Sequence, residues 1–239
     1  PDDTVIYGQC LAVWSGVRAF RDRFIFNPHG LEPYQAITWK SRLKYTPMRE
    51  VHSWMFRQSR HVVSLGGRLT DIIRRHSHPD TKIHVLPNAI SPPESPTPKH
   101  SSPPFRLLFV GRHVFNKGIV YLLDAIRLLN DEGFQEQVRL DLVGAGPLLE
   151  GLRNQYAMPN VEFHGGADDG KMLALQQAAD LFVFPTLFEG MPTAVMEAMA
   201  YGTPIAVTDT GATLDLLTPA NGFLDRKSTR LNSSHANIS

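Results

Sequence analysis

From residue 105 onward the apolar positions switch repeatedly between two periods. "RLLFVG" (106–111) is a continuous apolar run closed by glycine, as a strand buried on both faces of a parallel sheet requires. Ile119, Leu122, Leu123, Ile126 and Leu129 then recur at helical spacing. "VRLDLVG" (138–144), "VEFHG" (161–165), "DLFVFP" (180–185) and "PIAVTD" (204–209) read as further strands. Between them "PLLEGLRNQYA" (147–157), with Pro147 in its first turn, "DGKMLALQQAA" (169–179) and "PTAVMEAMAYG" (192–202) read as helices. Strands alternating with helices of this length predict βαβ units and a parallel, doubly wound sheet with helices on both faces.

Residues 1–90 carry the same two periods less regularly. "TVIYGQ" (4–9), "RFIFNPHG" (23–30), "HVVSLG" (61–66) and "KIHVLPNAI" (82–90) read as strands. "MREVHSWMFRQSR" (48–60) and "GRLTDIIRRHS" (67–77) read as helices. "SPPESPTPKHSSPP" (91–104) has no apolar periodicity and is expected to be an extended linker. The expected organisation is therefore α/β, with one sheet domain over 1–90, a linker over 91–104 and a second sheet domain over 105–224. Residues 225–239, "DRKSTRLNSSHANIS", again lack periodicity.

Composition alters this picture little: 42% hydrophobic and 20% charged residues describe an ordinary globular chain. No apolar run reaches the eighteen or so residues that span a bilayer. The first ten residues have no basic-then-apolar leader pattern, so a cytoplasmic protein is expected. A lone cysteine, Cys10, excludes an internal disulfide and is expected to be a small buried residue. Charge is more informative, because the net +1 conceals a split. Residues 1–90 hold 13 Lys and Arg against 7 Asp and Glu; residues 105–224 hold 7 against 14. A basic half suits an anionic partner such as a membrane surface; an unevenly charged solvated surface is the alternative.

In an open α/β sheet ligands bind beyond the carboxyl ends of the strands. The loops there are "GRHVFNKG" (111–118), "GAGP" (144–147), "HGGADDG" (164–170), "PTLFEGMP" (185–192) and "TDTGAT" (208–213), each with a glycine that lets backbone approach a ligand. Gly190 frees the fourth loop to bend, and Pro192 suits the first helical position because its missing N–H needs no partner there. The free amides of that first turn, with the positive end of the helix dipole behind them, form an anion site. Val195, Ala198 and Met199 share the sheet-facing side of this helix. Glu197 points about 200° away from Val195, so Glu189 and Glu197 are both placed to border the cleft as acceptors for hydroxyls. The alternative is that Glu189 complements the helix dipole and Glu197 is a solvated surface residue. Arg112 and Lys117, in a loop expected to be exposed, supply a guanidinium fork and a point charge suited to a diphosphate.

These stretches resemble a known family. "LLFVGRHVFNKGIVYLLDAI", "LDLVGAGPLLEGL", the run from "NVEFHGG" to "TDTG", and "NGFL" are similar to the donor domain of GT-B-fold retaining glycosyltransferases of family 4, also called group 1. The likeness is dense over 105–224; "NPHGLEPYQA" and "VVSLGGRLTDIIRR" with "KIHVLPNAI" resemble the acceptor domain of the same family more loosely. The resemblance implies two Rossmann-like domains, the first truncated and the second incomplete at its end. It implies transfer of a sugar from a nucleotide-diphosphate sugar with retention of anomeric configuration, in synthesis of a bacterial cell-surface polysaccharide or glycolipid. Arg112 and Lys117 would hold the diphosphate. Glu189, with backbone amides of Gly190, Met191 and Thr193 beside Pro192, would hold sugar hydroxyls and phosphate. Gly111 and Gly144 would let the backbone near the donor, Glu197 would accept from ribose, and the backbone of His164 and Gly165 would flank the base. His29 would face the donor sugar across the interdomain cleft.

The implied partners are a sugar nucleotide and a sugar or lipid-linked acceptor, with peripheral attachment to the inner membrane face through the basic first segment, and no nucleic acid. No cofactor is implied, since the nucleotide is substrate. The chain has no D-x-D motif, in keeping with metal-independent handling of the diphosphate, and its histidines lack zinc-like spacing. Other readings remain: an epimerase or phosphorylase on the same architecture, an inactive fragment, or a dinucleotide oxidoreductase with "GAGP" as a partial fingerprint. Finally, "DRKSTRLNSSH" with the residues after it resembles the translation of a sequencing-library adapter, so 225–239 is expected to be a non-native tail.

Overall fold

The computed structural model describes residues 4–12, 14–36, 39–91, 103–218 and 220–225. The protein is α/β, with two parallel sheets. In the first, β1 (Ile6–Gln9), β2 (Phe24–Asn27), β3 (His61–Ser64) and β4 (Lys82–Val85) lie side by side in chain order. Around them run α1 (Glu32–Gln35), α2 (Trp39–Gln58) and α3 (Gly67–His76). Phe24, Phe26, Met55, Phe56, Val62, Leu69 and Ile73 form its core.

The second unit contains β5 (Phe105–Val110), α4 (Ile119–Asp131), β6 (Val138–Val143), α5 (Leu149–Gln155) and β7 (Val161–Gly165). It continues through α6 (Asp169–Ala178), β8 (Leu181–Phe184), α7 (Thr193–Ala200), β9 (Ile205–Thr208) and β10 (Gly222–Asp225). Its strand order is β10-β9-β8-β5-β6-β7. The chain winds outward from β5 to β7, then returns to lay β8 on the other side of β5. That reversal opens a crevice beyond the carboxyl ends of β5 and β8. Leu107, Leu108 and Phe109 are buried in succession, because helices cover both faces of the sheet. Ile119, Leu122, Leu123 and Ile126 of α4 pack on one face, and Asp168 caps α6 by accepting the Lys171 amide at 2.8 Å.

The two sheets share side chains. Met191 and Ala212, from the second unit, belong to the first unit's core. Asp215 Oδ2 accepts the Gly67 amide at 2.6 Å at the start of α3. Next to it Arg68 pairs with Asp209 at 2.5 Å and donates its amide to the Gly211 carbonyl at 2.9 Å.

Several expectations need correction. Helix α2 begins at Trp39, not near Met48, and passes through Pro47. Pro47 removes the bond that the Leu43 carbonyl would accept, but Leu43 is exposed and solvent can satisfy that carbonyl. Pro147 precedes α5 and lies outside its first turn, and α7 begins after Pro192. Cys10 is exposed, with a positive φ of 50°, and is not a buried residue. A sixth strand, β10, joins the five read from apolar runs; it pairs parallel with β9, Asp225 opposite Thr208. The linker from 92 to 102 and residues 226–239 of the expected tail lie outside the described residues; Asp225, read as the first residue of that tail, instead closes β10.

Candidate functional site

The loop after β5 forms the floor of the crevice. It turns through Phe115–Lys117 and enters α4 at Gly118, whose φ is 72°. A Cβ at Gly118 would stand 1.8 Å from the Pro185 carbonyl, so glycine alone lets this loop lie against the loop after β8. Leu187 donates to the Asn116 carbonyl at 2.8 Å, and the buried Thr186 hydroxyl donates to the same carbonyl at 3.1 Å. The neighbouring loops are held as closely. Gly111 donates to Val143, Gly144 donates to Gly165, and a Cβ on Gly144 would lie 2.0 Å from the Gly111 carbonyl.

On this platform Lys117 Nζ meets Glu189 Oε2 at 2.5 Å. Their side chains are 19% and 16% exposed, so the loop does not leave Lys117 in solvent as expected. Nζ also sits 5.4 Å from the centre of the Phe184 ring, a cation–π contact that shields it further. Thr186 Oγ1 lies 3.4 Å from Glu189 Oε2.

The segment after Glu189 is held by its carbonyls. Gln35 donates to the Glu189 carbonyl at 3.0 Å, Ala212 to that of Gly190 at 2.9 Å, and Asn88 to that of Met191 at 2.9 Å. Two of these donors, Gln35 and Asn88, come from the first unit. Gly211, at φ 55°, passes so close that a Cβ would be 2.3 Å from the Glu189 carbonyl. With the carbonyls engaged, the amides of Gly190, Met191 and Thr193 face away; no acceptor among the described residues takes them. Pro192 is the N-cap of α7, one position earlier than expected, with β-region ψ of 114°. Its ring is buried, and Met191 is anchored in the first unit's core, which leaves the backbone as the part of this segment available to a ligand.

His29 faces the same place. It adopts a left-handed conformation, φ 56°, held by its amide donating to Asn27 Oδ1 at 2.9 Å. Asn27 is buried and donates in turn to the Tyr7 hydroxyl at 2.5 Å. A non-glycine residue kept at positive φ by a buried partner is costly and marks a constrained position. His29, Glu32, Asn116, Lys117, Glu189 and Gly190 line one cavity of about 210 Å³ between the two sheets. Arg112 opens on an adjoining cavity of about 510 Å³, whose walls include Lys117 and Phe188 on one side and Glu32, Ser41 and Tyr45 on the other. Arg112 makes no ion pair among the described residues.

The remaining predicted residues fall elsewhere. Glu197 does not border the cavity that holds Glu189. It is half-buried beside a third cavity of about 320 Å³, between α6 and α7, with Asp169, Met172 and Tyr201. Burial there raises its pKa above the usual carboxylate range. The His164 side chain turns into the sheet, its Nε2 2.8 Å from buried Asp141 and its Nδ1 3.3 Å from Glu162. The Arg139 guanidinium also reaches both carboxylates. Asp141, Glu162 and His164 hold ligand-type atoms within 4.8 Å of one another, a cluster that spacing along the chain did not suggest. Arg139 offsets one of its two carboxylate charges. Gly165, at φ 69°, has open space where a side chain would be. Glu32, Asn88, Asn116 and Thr186 were not anticipated; they reach the crevice through tertiary contacts that no local motif signals.

Residues 104–230 match the family model described as Glycosyl transferases group 1. An uncharacterized glycosyltransferase of Methanocaldococcus jannaschii is 31% identical over 115 residues, 46% of this chain and 29% of that protein. Glycogen synthase of Mycobacterium tuberculosis is 26% identical over 190 residues, 77% of this chain and 45% of that protein. The chain thus spans less than half the length of these relatives. Among solved structures, sucrose-phosphate synthase from Thermosynechococcus elongatus superposes with a TM-score of 0.73 at 21% identity, covering 92% of this chain and 60% of that one. Anabaena HepE in complex with UDP superposes with a TM-score of 0.66 at 17% identity, over 93% and 64% of the two chains; it is also solved with UDP-glucose. At these identities the likeness concerns the fold, which is the GT-B arrangement of two parallel-sheet units.

Proposed function

The chain belongs to the group 1 glycosyl transferases, and from that premise we propose that its parent enzyme transfers a sugar from a nucleotide-diphosphate sugar to an acceptor, with retention at the anomeric carbon. The observation that carries this reading is the meeting of Lys117, Glu189, His29 and the unpartnered amides of Gly190 and Met191 around one cavity between the sheets, with Arg112 at its margin.

As the anomeric C–O bond breaks, negative charge collects on the departing diphosphate. Arg112, Lys117 and the amides at the start of α7 are donors of the kind that stabilise such charge without reorganising. Lys117 is paired with Glu189. An arriving phosphate competes for the ammonium and leaves the carboxylate to accept donor-sugar hydroxyls. His29 faces that sugar from the first unit. The nucleoside extends toward the open space at Gly165 and the cavity beside Glu197, which is then placed to accept from ribose. UDP in the HepE structure supports a uridine nucleotide as the first donor to try.

The acceptor is proposed to be a growing cell-surface polysaccharide or glycolipid. Where it is lipid-linked, the basic first unit docks on an anionic inner membrane face, each nearby cation contributing roughly 1 kcal/mol. No helix among the described residues is long and apolar enough to cross a membrane.

Calorimetric titration with UDP, GDP and ADP tests the site. The expected result is binding of one of them, weakened in Arg112→Ala by about 1.5–3 kcal/mol, the loss of one charge-assisted contact. Absence of binding to all three would overturn the reading. The anomeric coupling constant of the transferred sugar, read by NMR, tests retention, and an inverted product would overturn that part.

A further inference from the structure

The first sheet has a second basic feature, at the end opposite the crevice. His61 and Lys82 are the first residues of β3 and β4, and Arg21 lies just before β2. These amino ends surround a cavity of about 570 Å³, within the range of small-ligand sites. Arg60 closes one side, and the α3–β4 turn supplies His78 and Asp80. Arg21 and Lys82 have no carboxylate partner among the described residues. Arg60 pairs with Asp22 at 2.7 Å while both stay largely exposed, and Asp80 lies 3.5 Å from His78. His61 Nδ1 is 3.0 Å from His84 Nε2, so those two atoms share one hydrogen. A further proton on His61 is opposed by burial and by the charges of His84, Lys82 and Arg60. The cations therefore face one another across the cavity with too little negative charge between them.

A second observation is independent of charge. Ser59 lines this cavity and is 1% exposed, yet its hydroxyl has no hydrogen-bond partner among the described residues. Its carbonyl is engaged, accepting from the Thr81 hydroxyl at 3.0 Å. Buried hydroxyls without partners are rare in native folds and call for a ligand or an ordered group.

We propose that this pocket binds a phosphomonoester, as a soluble compound or as a lipid headgroup. A tetrahedral dianion uses several donors at once: the guanidinium forks of Arg21 and Arg60, the ammonium of Lys82, the His61 imidazole and the Ser59 hydroxyl. The site is separate from the transferase crevice and does not rest on the reading given for it.

The test is titration of the whole chain with inorganic phosphate, followed through the imidazole signals of His61 and His84 by NMR. The expected result is saturable movement of both. Affinity should fall roughly tenfold in Arg21→Ala/Lys82→Ala, whose exposed positions spare the fold. Ser59→Ala should weaken phosphate binding while thermal stability holds or rises, because an unpartnered buried hydroxyl is removed. UDP affinity should be unchanged in all variants. Absence of saturation, or identical phosphate binding in both variants, would overturn the pocket. Glycerol 3-phosphate and vesicles of phosphatidylcholine with or without phosphatidic acid then separate the sources. Residue-dependent capture on the phosphatidic acid vesicles assigns the headgroup, and capture of the soluble ester alone assigns the free compound; either supports the site.

Discussion

Lys117→Met removes one charge from a pair that is mostly shielded from water. Exposed ion pairs contribute about 0–1 kcal/mol, whereas breaking a fully buried one costs about 3–5 kcal/mol. At 19% and 16% exposure the Lys117–Glu189 contact lies between these limits. The variant leaves the Glu189 carboxylate facing only the Thr186 hydroxyl, 3.4 Å away, among its described side-chain partners. A loss of about 2–3 kcal/mol follows by interpolation. The double variant Lys117→Met/Glu189→Gln removes both charges and should recover at least about 1 kcal/mol of that loss. Guanidinium chloride is itself a salt, so urea unfolding at pH 7 is the better assay, repeated at low and high ionic strength. A shielded pair keeps its coupling at high salt; a surface pair loses it. UDP binding supplies the second readout. Both variants should bind UDP weakly, because the double variant restores charge balance but not the ammonium. Coupling below about 0.5 kcal/mol would refute the shielded ion pair. Wild-type UDP affinity in Lys117→Met would refute the phosphate role, whatever the stability result.

Gly118→Ala should destabilise the second unit by more than the roughly 1–2 kcal/mol of left-handed backbone strain, because its Cβ would also meet the Pro185 carbonyl at 1.8 Å; thermal unfolding and UDP binding should both suffer, and an unchanged midpoint would contradict the close approach. His113 is fully buried between Phe109 and Phe163, and neither ring nitrogen has a partner among the described residues, so His113→Leu should stabilise by about 1–3 kcal/mol. Burial lowers the His113 pKa, so its neutral form contributes stability above the unfolded value of about 6.5 that is lost as pH falls toward the folded value. His113→Leu should therefore lose less stability than the wild type between pH 7 and pH 5, and parallel curves would count against this account.

The strand and helix alternation of residues 105–209 was legible because its central strands, β5 and β6, are covered on both faces. A continuous run such as Leu107–Phe109 then has no competing local explanation. The glycines of the site loops were legible for a similar reason: Gly118, Gly144 and Gly211 stand where backbone crosses backbone, and few other residues tolerate that. Helix boundaries were less so. Pro47 argues locally for a break, but α2 runs through it, and its buried residues, His52, Ser53, Met55 and Phe56, all lie on the C-terminal side. Pro192 serves as a cap and not as a first helical residue, because Met191 is drawn into the other unit's core and fixes where α7 can begin. Cys10 is small and apolar enough to be buried, yet its position at a positive-φ turn exposes it. Chemistry at the site depended most on tertiary structure. Lys117 and Glu189 are 72 residues apart and meet because the chain returns to place β8 beside β5. Glu197, eight residues from Glu189 along the chain, is turned by its helix toward α6 and a different cavity. Local pattern determines which residue types stand at the ends of strands. Which of them confront each other is decided by strand order and by the docking of two sheets, and neither is encoded within any single segment.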